Sequence, residues 1–101
     1  MTTKIIWGYV DEDGNILSSS GDFTVSEESE PGFYDIFFAP GSFSAQPAIT
    51  GNCVSESREA PVFQIYQVSG PKGFVAETRD AHSGNRDAQA FMFTAIGTTD
   101  D

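Results

Sequence analysis

The sequence predicts an all-β fold, an antiparallel β-sandwich of about seven to eight short strands. Short segments in which apolar and polar residues alternate recur about every ten residues, and turns rich in Gly, Pro, Ser and Asp separate them. No segment shows the apolar period of an amphipathic helix. Because chains of 101 residues rarely divide into two cores, we expect residues 1–101 to form one domain.

The first two strands are predicted to form a hairpin. Residues 4–10 are rich in β-branched and aromatic side chains, and the polar loop DEDGN separates them from Ile16 and Leu17. Gly14 can adopt positive φ in this loop. A calcium loop is the alternative interpretation, but its spacing would put Ser20 at the twelfth position, which requires a bidentate carboxylate. No metal site and no cofactor are therefore predicted.

The aromatic stretch from Gly32 to Val54 supplies much of the predicted core. A half-buried strand over residues 22–26 and a charged loop ending in Pro31-Gly32 precede it. Within it, period-two alternation puts Tyr34, Ile36 and Phe38 on the core face. Phe33 and Phe37 then face the other side, where a subunit interface or a covering loop must shield them from water.

The remaining strands follow the same pattern. Phe43 is expected to return to the core after a turn at residues 39–42, and strands are predicted over residues 47–54, 61–68, 74–79 and 88–97. Polar loops, among them residues 55–60, connect them. The segment 61–68 is apolar on both faces, which favours a central or interface strand. In the last strand, Phe91 and Phe93 share one face, and Met92 and Ile96 share the other.

The charge balance excludes some partner classes. Five basic residues oppose fifteen acidic ones, for a net charge of −10, which disfavours nucleic acid and anionic membrane surfaces. Residues 1–35 carry eight acids and one lysine, a net −7, so one end of the fold should be acidic. The N-terminus lacks an apolar run of signal-peptide length. We expect a soluble chain without membrane insertion, located in the cytoplasm, associated with a virion or exported by a non-classical route.

The polar loop at residues 80–87 is the predicted ligand site. It contains the only histidine and several groups that could hydrogen-bond sugar hydroxyls: Asp80, His82, Asn85, Arg86 and Asp87. The alternative is a solvated loop whose arginines pair with nearby acids. Trp7 or Tyr66 could stack on a sugar, although Trp7 is more typical of a core or interface residue. The single Cys53 reads as a small buried apolar residue.

Catalysis is not predicted from this loop. A serine directly beside His82 cannot easily present its oxygen to that imidazole, and the chain contains no second histidine.

The order of several short motifs resembles a known class of module. These motifs are G-Y-V followed by D-G (residues 8–14), D-F-T-V (22–25), G-F-Y-D-I-F-F (32–38), P-A-I (47–49), G-F-V (73–75) and F-M-F-T-A-I-G (91–97). Together they resemble small β-sandwich modules at the ends of phage tail-fibre-like and bacterial collagen-like or surface proteins. The F-x4-F-x3-P element (38–47) is similar to the H-type lectin sandwich. The resemblance implies a jelly-roll-like or H-type-lectin-like sandwich, trimeric assembly, and attachment to a surface glycan or cell-surface protein.

These observations predict a non-catalytic binding or assembly module that associates with itself, as a homotrimer, in surface attachment or as a structural component. Phe33, Phe37, Met92 and Ile96 are the expected interface residues. A carbohydrate-binding lectin that uses the 80–87 loop is the alternative.

Overall fold

The chain folds into two four-stranded antiparallel sheets that pack face to face, in a computed structural model that describes residues 1–27, 31–56 and 59–100. Sheet A has the order β2-β1-β8-β5 and sheet B the order β3-β4-β7-β6. The predicted β-sandwich is confirmed, with eight strands. They are β1 (Thr2–Val10), β2 (Ile16–Ser19), β3 (Phe23–Glu27), β4 (Phe33–Phe38), β5 (Ala48–Val54), β6 (Val62–Val68), β7 (Gly73–Arg79) and β8 (Ala90–Thr99), with one turn of 3-10 helix at Gly70–Lys72.

The predicted turns form as their residues require. β1 and β2 pair antiparallel around the polar loop, where Gly14 takes a φ of 86°. At the start of β4, Gly32 takes a φ of 84° in the Pro-Gly turn. Residues 28–30 of the predicted charged loop, and residues 57 and 58 of the next one, lie outside the described part of the chain.

The core lies between the sheets and is mainly aromatic. The predicted alternation is confirmed, since Tyr34, Ile36 and Phe38 are all buried. Phe43 is also buried and meets Phe38 edge to face, with ring centroids 5.1 Å apart. This geometry is the favoured one for aromatic pairs. The other fully or nearly fully buried apolar residues are Ile6, Val10, Phe23, Phe74, Ala76, Phe91, Phe93 and Ala95.

The molecule is elongated, 44 × 21 × 19 Å, and its two ends differ in charge. Strand register brings the loops at residues 11–15, 55–61 and 80–89 to one end, which we call the loop end. A hydrogen bond from Tyr34 Oη to Glu12 O, 2.6 Å, ties the two sheets together there. The described acids of the loop end are Asp11, Glu12, Asp13, Glu56, Glu59, Asp80 and Asp87. An acidic end is therefore present, and acids beyond the first 35 residues, in the loops after β5 and β7, contribute to it as well.

The opposite end carries the start of β1 and the end of β8. Thr2 pairs with Thr99, because β1 and β8 run antiparallel along their whole length. Close by, Lys4 Nζ donates to Asp22 Oδ2 at 2.8 Å. Within the described residues there is no helix long and apolar enough to cross a membrane.

Of the two positions that its composition favours, β6 does not take the central one, and its role as an interface strand stays a prediction. β6 pairs only with β7 and forms the edge of sheet B. Phe63 and Ile65 pack against the core, whereas Tyr66 lies at a β-bulge and turns to the outer face. Its two apolar faces thus reflect core packing on one side and contact with Phe33 on the other, 4.9 Å between ring centroids.

Candidate functional site

The 80–87 loop is a compact extension of the β7–β8 connection. Asp80 N donates to Asn85 O and Gly84 N donates to Asp80 O, each at 2.8 Å. The carboxylate of Asp80 accepts hydrogen bonds from the backbone N–H groups of His82, 2.7 Å, and Ser83, 3.2 Å. This is the usual way in which an aspartate stabilises a tight turn. Asp80 therefore shapes the loop.

Four polar side chains at the base of the loop form a connected group, which we call the Glu77 cluster: Gln64, Glu77, Arg79 and Arg86. Glu77 is fully buried at 0% exposure, although it lies on the outer face of sheet B. Arg79 Nε donates to Glu77 Oε1 at 2.8 Å, and Arg86 Nε donates to Glu77 Oε2 at 2.9 Å. Gln64 Nε2 donates to Oε1 at 3.1 Å. The carboxylate is thus surrounded by donors, as a buried charge requires.

The carboxyl group of Glu77 is held in its ionised form. Burial of Glu77 disfavours the charged carboxylate, but the hydrogen bonds from Arg79 and Arg86 outweigh it and keep its pKa below the ordinary value. Arg86 also lies over the ring of Phe33, 4.1 Å from the centroid. The expected local pairing of both arginines with an acid is observed, and the acid is Glu77.

The five predicted ligand-binding residues do not converge on one point. Asp80 is used in the turn, and Arg86 is held by Glu77. Asp87 Oδ2 accepts from Gln89 Nε2 at 2.8 Å, and Asp87 O accepts from Thr78 Oγ1. The side chains of His82 and Asn85 are exposed. The surface depressions described below are lined by other residues.

The predicted interface residues fall on opposite sides of the sandwich. Phe33 receives its cover from Tyr66 and Arg86, so the loop supplies one of the two environments expected for it. Phe37 has no such cover and is 51% exposed. It stands between two depressions, of about 560 Å³ towards β3 and about 200 Å³ towards β7. Both phenylalanines lie on sheet B.

Met92 and Ile96 lie on the outer face of sheet A, within a surface to which residues 1–27, 31–56 and 59–100 contribute no charged side chain. Trp7 stands at its centre and is 42% exposed, so it is not a core residue. Ile5 pairs with Ile96 across β1 and β8, and Tyr9 pairs with Met92. We call this surface the neutral face; its residues are Thr3, Ile5, Trp7, Tyr9, Ser18, Ala48, Thr50, Asn52, Val54, Met92, Thr94, Ile96 and Thr98.

The neutral face is only slightly concave. Two open depressions flank the ridge formed by Met92 and Thr94. The larger, about 330 Å³, lies between Trp7, Tyr9 and Met92, and the smaller, about 250 Å³, lies beside Thr50 and Asn52. This shape suits a broad macromolecular contact better than an enclosed small molecule, which usually needs a deeper pocket.

Sequence reasoning found Met92 and Ile96 but missed Ile5, Trp7 and Tyr9 as their neighbours. The signal was available in part, because residues 5, 7 and 9 alternate with the buried Ile6, Gly8 and Val10. The sequence pattern did not show that the first strand pairs with the last, which is what places these residues beside Met92 and Ile96.

Two other groups singled out in the sequence have local roles. Asp11 accepts hydrogen bonds from Asn15 N, 2.8 Å, from Asp13 N, 2.9 Å, and from Asn15 Nδ2, 3.2 Å, and so shapes its own loop. The hydrogen bond from Asn15 N contributes most to lowering the pKa of Asp11.

Cys53 is half-buried rather than fully buried, and desolvation raises the pKa of its thiol to about 11. A thiol with this pKa is a poor nucleophile at neutral pH.

Comparison with protein-family models, with curated proteins and with solved structures found no match. What the geometry establishes is a small all-β protein of two four-stranded antiparallel sheets.

Proposed function

We propose that this chain is a non-catalytic binding and assembly module that associates with further copies of itself through the neutral face. The observation that carries the proposal is the contrast between this face and the rest of the surface. The chain has a net charge of −10, yet none of the described residues on the outer face of sheet A is charged, and Ile5, Trp7, Met92 and Ile96 are exposed there. An exposed apolar surface rimmed by polar residues is typical of a protein interaction site.

Electrostatics favours a second copy as the occupant of this face. Two molecules of charge −10 repel each other, and the repulsion is smallest where the approaching surfaces are neutral. The acids of the loop end lie at one end of a 44 Å molecule. A two-fold arrangement with antiparallel strands places the two loop ends far apart, beyond a Debye length of about 8 Å at physiological salt. Like charges are then largely screened from one another.

The neutral face is also large enough. β2, β1, β8 and β5 have four, nine, ten and seven residues, each residue extends about 3.3 Å, and neighbouring strands lie about 4.8 Å apart. The projected area is then about 480 Å², and side-chain relief adds accessible surface to it. Specific interfaces bury about 800 Å² per partner, so this face is of the required order. Trp7, which is large and central, is the residue expected to dominate the contact.

The number of copies is a separate question. Phe37 and the pair Met92 and Ile96 lie on opposite faces, so one contact between two copies cannot contain all three unless a face of sheet A meets a face of sheet B. Contacts between opposite faces extend into an open stack, whereas a face that meets its own copy closes as a dimer. We favour the closed dimer as the elementary unit. The trimer implied by the resemblance to tail-fibre-like modules stays a prediction, as does a role in surface attachment or as a structural component.

The proposal is tested by measuring mass in solution. Sedimentation velocity of the wild-type chain should show a dimer, and Ile96→Glu should shift it to monomer, because burying an unpaired carboxylate in an apolar contact is costly. Phe37→Glu, an equally exposed position on the other sheet, is the matched control and should leave the dimer intact. Circular dichroism establishes that both variants fold. A monomeric wild type, or equal effects of the two variants, would refute the use of the neutral face. A three-fold mass lost only in Ile96→Glu would retain the face and replace the dimer with the trimer.

A lectin that uses the 80–87 loop is the second candidate. What supports it is that His82 and Asn85 stay exposed on a loop whose base is held by hydrogen bonds, which lowers the entropy lost on binding. A glycan array probed with the wild-type chain and with Asn85→Ala tests this candidate. Binding that survives the substitution would exclude Asn85 from the site.

A further inference from the structure

The smaller depression beside Phe37, about 200 Å³ in volume, combines two opposite charges with an apolar wall. It is lined by Asp35 and Phe37 of β4, by Ser69 and Lys72 of the turn before β7, and by Gly73. Gly73 has no side chain to fill the space, and a Cβ there would collide with the backbone of β4. Pockets for drug-sized ligands usually measure about 300–1,000 Å³, so a ligand for this depression must be small.

The two charged side chains at this depression are Asp35 and Lys72. Within the described residues, neither side chain takes part in an ion pair or a hydrogen bond, and they do not pair with each other. Lys4 pairs with Asp22, and Arg79 and Arg86 pair with Glu77. Of the basic residues that the structure describes, Lys72 is thus the one without an acidic partner, in a chain with fifteen acids.

The strand register sets how far apart these two charges are attached. Asp35 lies opposite Val75 in the pairing of β4 with β7, and Lys72 comes three residues before Val75. The two attachment points are therefore about 10 Å apart along the strands. A ligand that contacts both charges needs its own charges several bonds apart.

Phe37 supplies the apolar part of the site. Because it lies opposite Gly73, its ring stands between the attachment points of Asp35 and Lys72. Its side chain is 51% exposed and can cover the methylene groups of a ligand that spans the two charges. We propose that this depression binds a small linear zwitterion, with its ammonium at Asp35, its carboxylate at Lys72 and its apolar chain against Phe37. The hydroxyl group of Ser69 can donate to the same carboxylate.

Charge complementarity favours a zwitterion over a ligand of one sign. The depression carries one acid and one base, so a cation alone is repelled by Lys72 and an anion alone by Asp35. Each exposed ion pair contributes at most about fivefold in affinity, so selectivity comes from making both pairs at once. The site lies on sheet B, whereas the neutral face lies on sheet A, and it goes beyond the proposed self-association without depending on it.

Titration of the intact chain with ε-aminocaproate, followed by amide chemical shifts in NMR spectra, tests the inference. A ligand this small in an open depression binds at about millimolar concentration, so the titration should extend to about 50 mM at constant pH and ionic strength. The matched half-ligands are hexylamine, which keeps the cation, and caproate, which keeps the anion. ε-Aminocaproate should bind about fivefold more tightly than either, with shifts centred on residues 35–37 and 69–75. Glycine, whose charges are too close together to reach both residues, should bind no more tightly than a half-ligand.

Single substitutions assign each charge of the ligand to its partner. Asp35→Asn should remove the advantage of ε-aminocaproate over caproate, and Lys72→Gln should remove its advantage over hexylamine. Asp13→Asn is the matched control, because Asp13 is an exposed carboxylate at the loop end, and it should preserve both differences.

The outcomes separate the site, its ligand and the proposed self-association. The absence of shifts at residues 35–37 and 69–75, or an equal loss of affinity in Asp13→Asn and Asp35→Asn, would overturn the site. Hexylamine or caproate that binds as tightly as ε-aminocaproate would overturn the zwitterion as its ligand. Ile96→Glu, on the other sheet, should leave all these affinities unchanged, so a failure of the neutral face as an interface does not alter this result.

Discussion

Replacing Glu77 with alanine removes the carboxylate that holds the base of the 80–87 loop. Its two oxygens accept hydrogen bonds from Arg79 Nε and Nη2, 2.8 and 3.1 Å, from Arg86 Nε, 2.9 Å, and from Gln64 Nε2, 3.1 Å. Without it, two guanidinium groups lie side by side with no opposite charge between them. Arg86 then loses the hydrogen bond that helps to hold it over Phe33.

The expected loss of stability lies between two limits. Breaking a buried ion pair by removing one partner costs about 3–5 kcal/mol, because the remaining charge stays buried without a counter-charge. Exposed pairs contribute about 0–1 kcal/mol. Glu77 is fully buried, but the side chains of Arg79 and Arg86 are 35% and 30% exposed and can regain water. We therefore expect Glu77→Ala to lower the free energy of unfolding by about 2–3 kcal/mol, which for a domain of this size lowers Tm by about 8–20 °C.

Urea unfolding at neutral pH measures this loss, provided that the slope against urea is unchanged. Asp35→Asn is the matched control, since Asp35 is a partly exposed carboxylate on the same outer face, and it should change stability by less than about 0.5 kcal/mol. Hydrogen exchange should show faster opening of residues 80–87 in Glu77→Ala only. A loss below about 1 kcal/mol, or an equal loss in the control, would show that the cluster does not hold the loop.

Three further predictions follow from single groups. The pKa of Glu77 lies below its ordinary value of 4.5, so the ionised carboxylate stabilises the fold fully above pH 4.5 and loses this contribution as the pH falls through the lowered pKa. In Glu77→Gln, the midpoint of urea unfolding should therefore fall less steeply with decreasing pH in the acid range. Gly32 and Gly41 share a φ of +84°, but a Cβ would meet Thr78 O at 2.7 Å only at Gly32. Gly41→Ala should cost about 1–2 kcal/mol and Gly32→Ala about 1–3 kcal/mol more, and equal losses on chemical unfolding would contradict the steric argument. With its pKa raised from 9.0 to about 11, Cys53 should react with a disulfide reagent at pH 8 about tenfold more slowly in the native chain than in urea, because the smaller thiolate fraction is partly offset by the higher nucleophilicity of a more basic thiolate. Comparable rates would disprove its protection.

Local pattern was sufficient for the strands. Each predicted strand is present within about two residues of its expected bounds, because alternation and turn residues are local properties that tertiary contacts did not override here. In β4 the alternation also assigned the buried face correctly, from Tyr34 to Phe38.

The candidate site depended on contacts between distant segments. Glu77 lies on an outward-facing position of β7, and only the approach of Arg86 from the following loop buries it. The same arginine covers Phe33, and this cover could not be predicted from the alternation of apolar and polar residues. The neutral face forms because the first and last strands pair, so Ile5 and Ile96 lie opposite each other although 91 positions separate them in the chain. The edge position of β6 likewise follows from strand order, which the composition of a single strand does not encode.

Pairing of Thr2 with Thr99 has a consequence for how this domain can be attached to other polypeptides. A polypeptide that enters at one terminus and leaves at the other begins and ends at the same pole of the sandwich, about one strand spacing apart. The domain could thus be inserted into a surface loop of a host protein, or circularly permuted by a short linker, without strain on the sheets. In either arrangement the acidic loops point away from the attachment, and the neutral face and the β6 edge stay accessible along its sides.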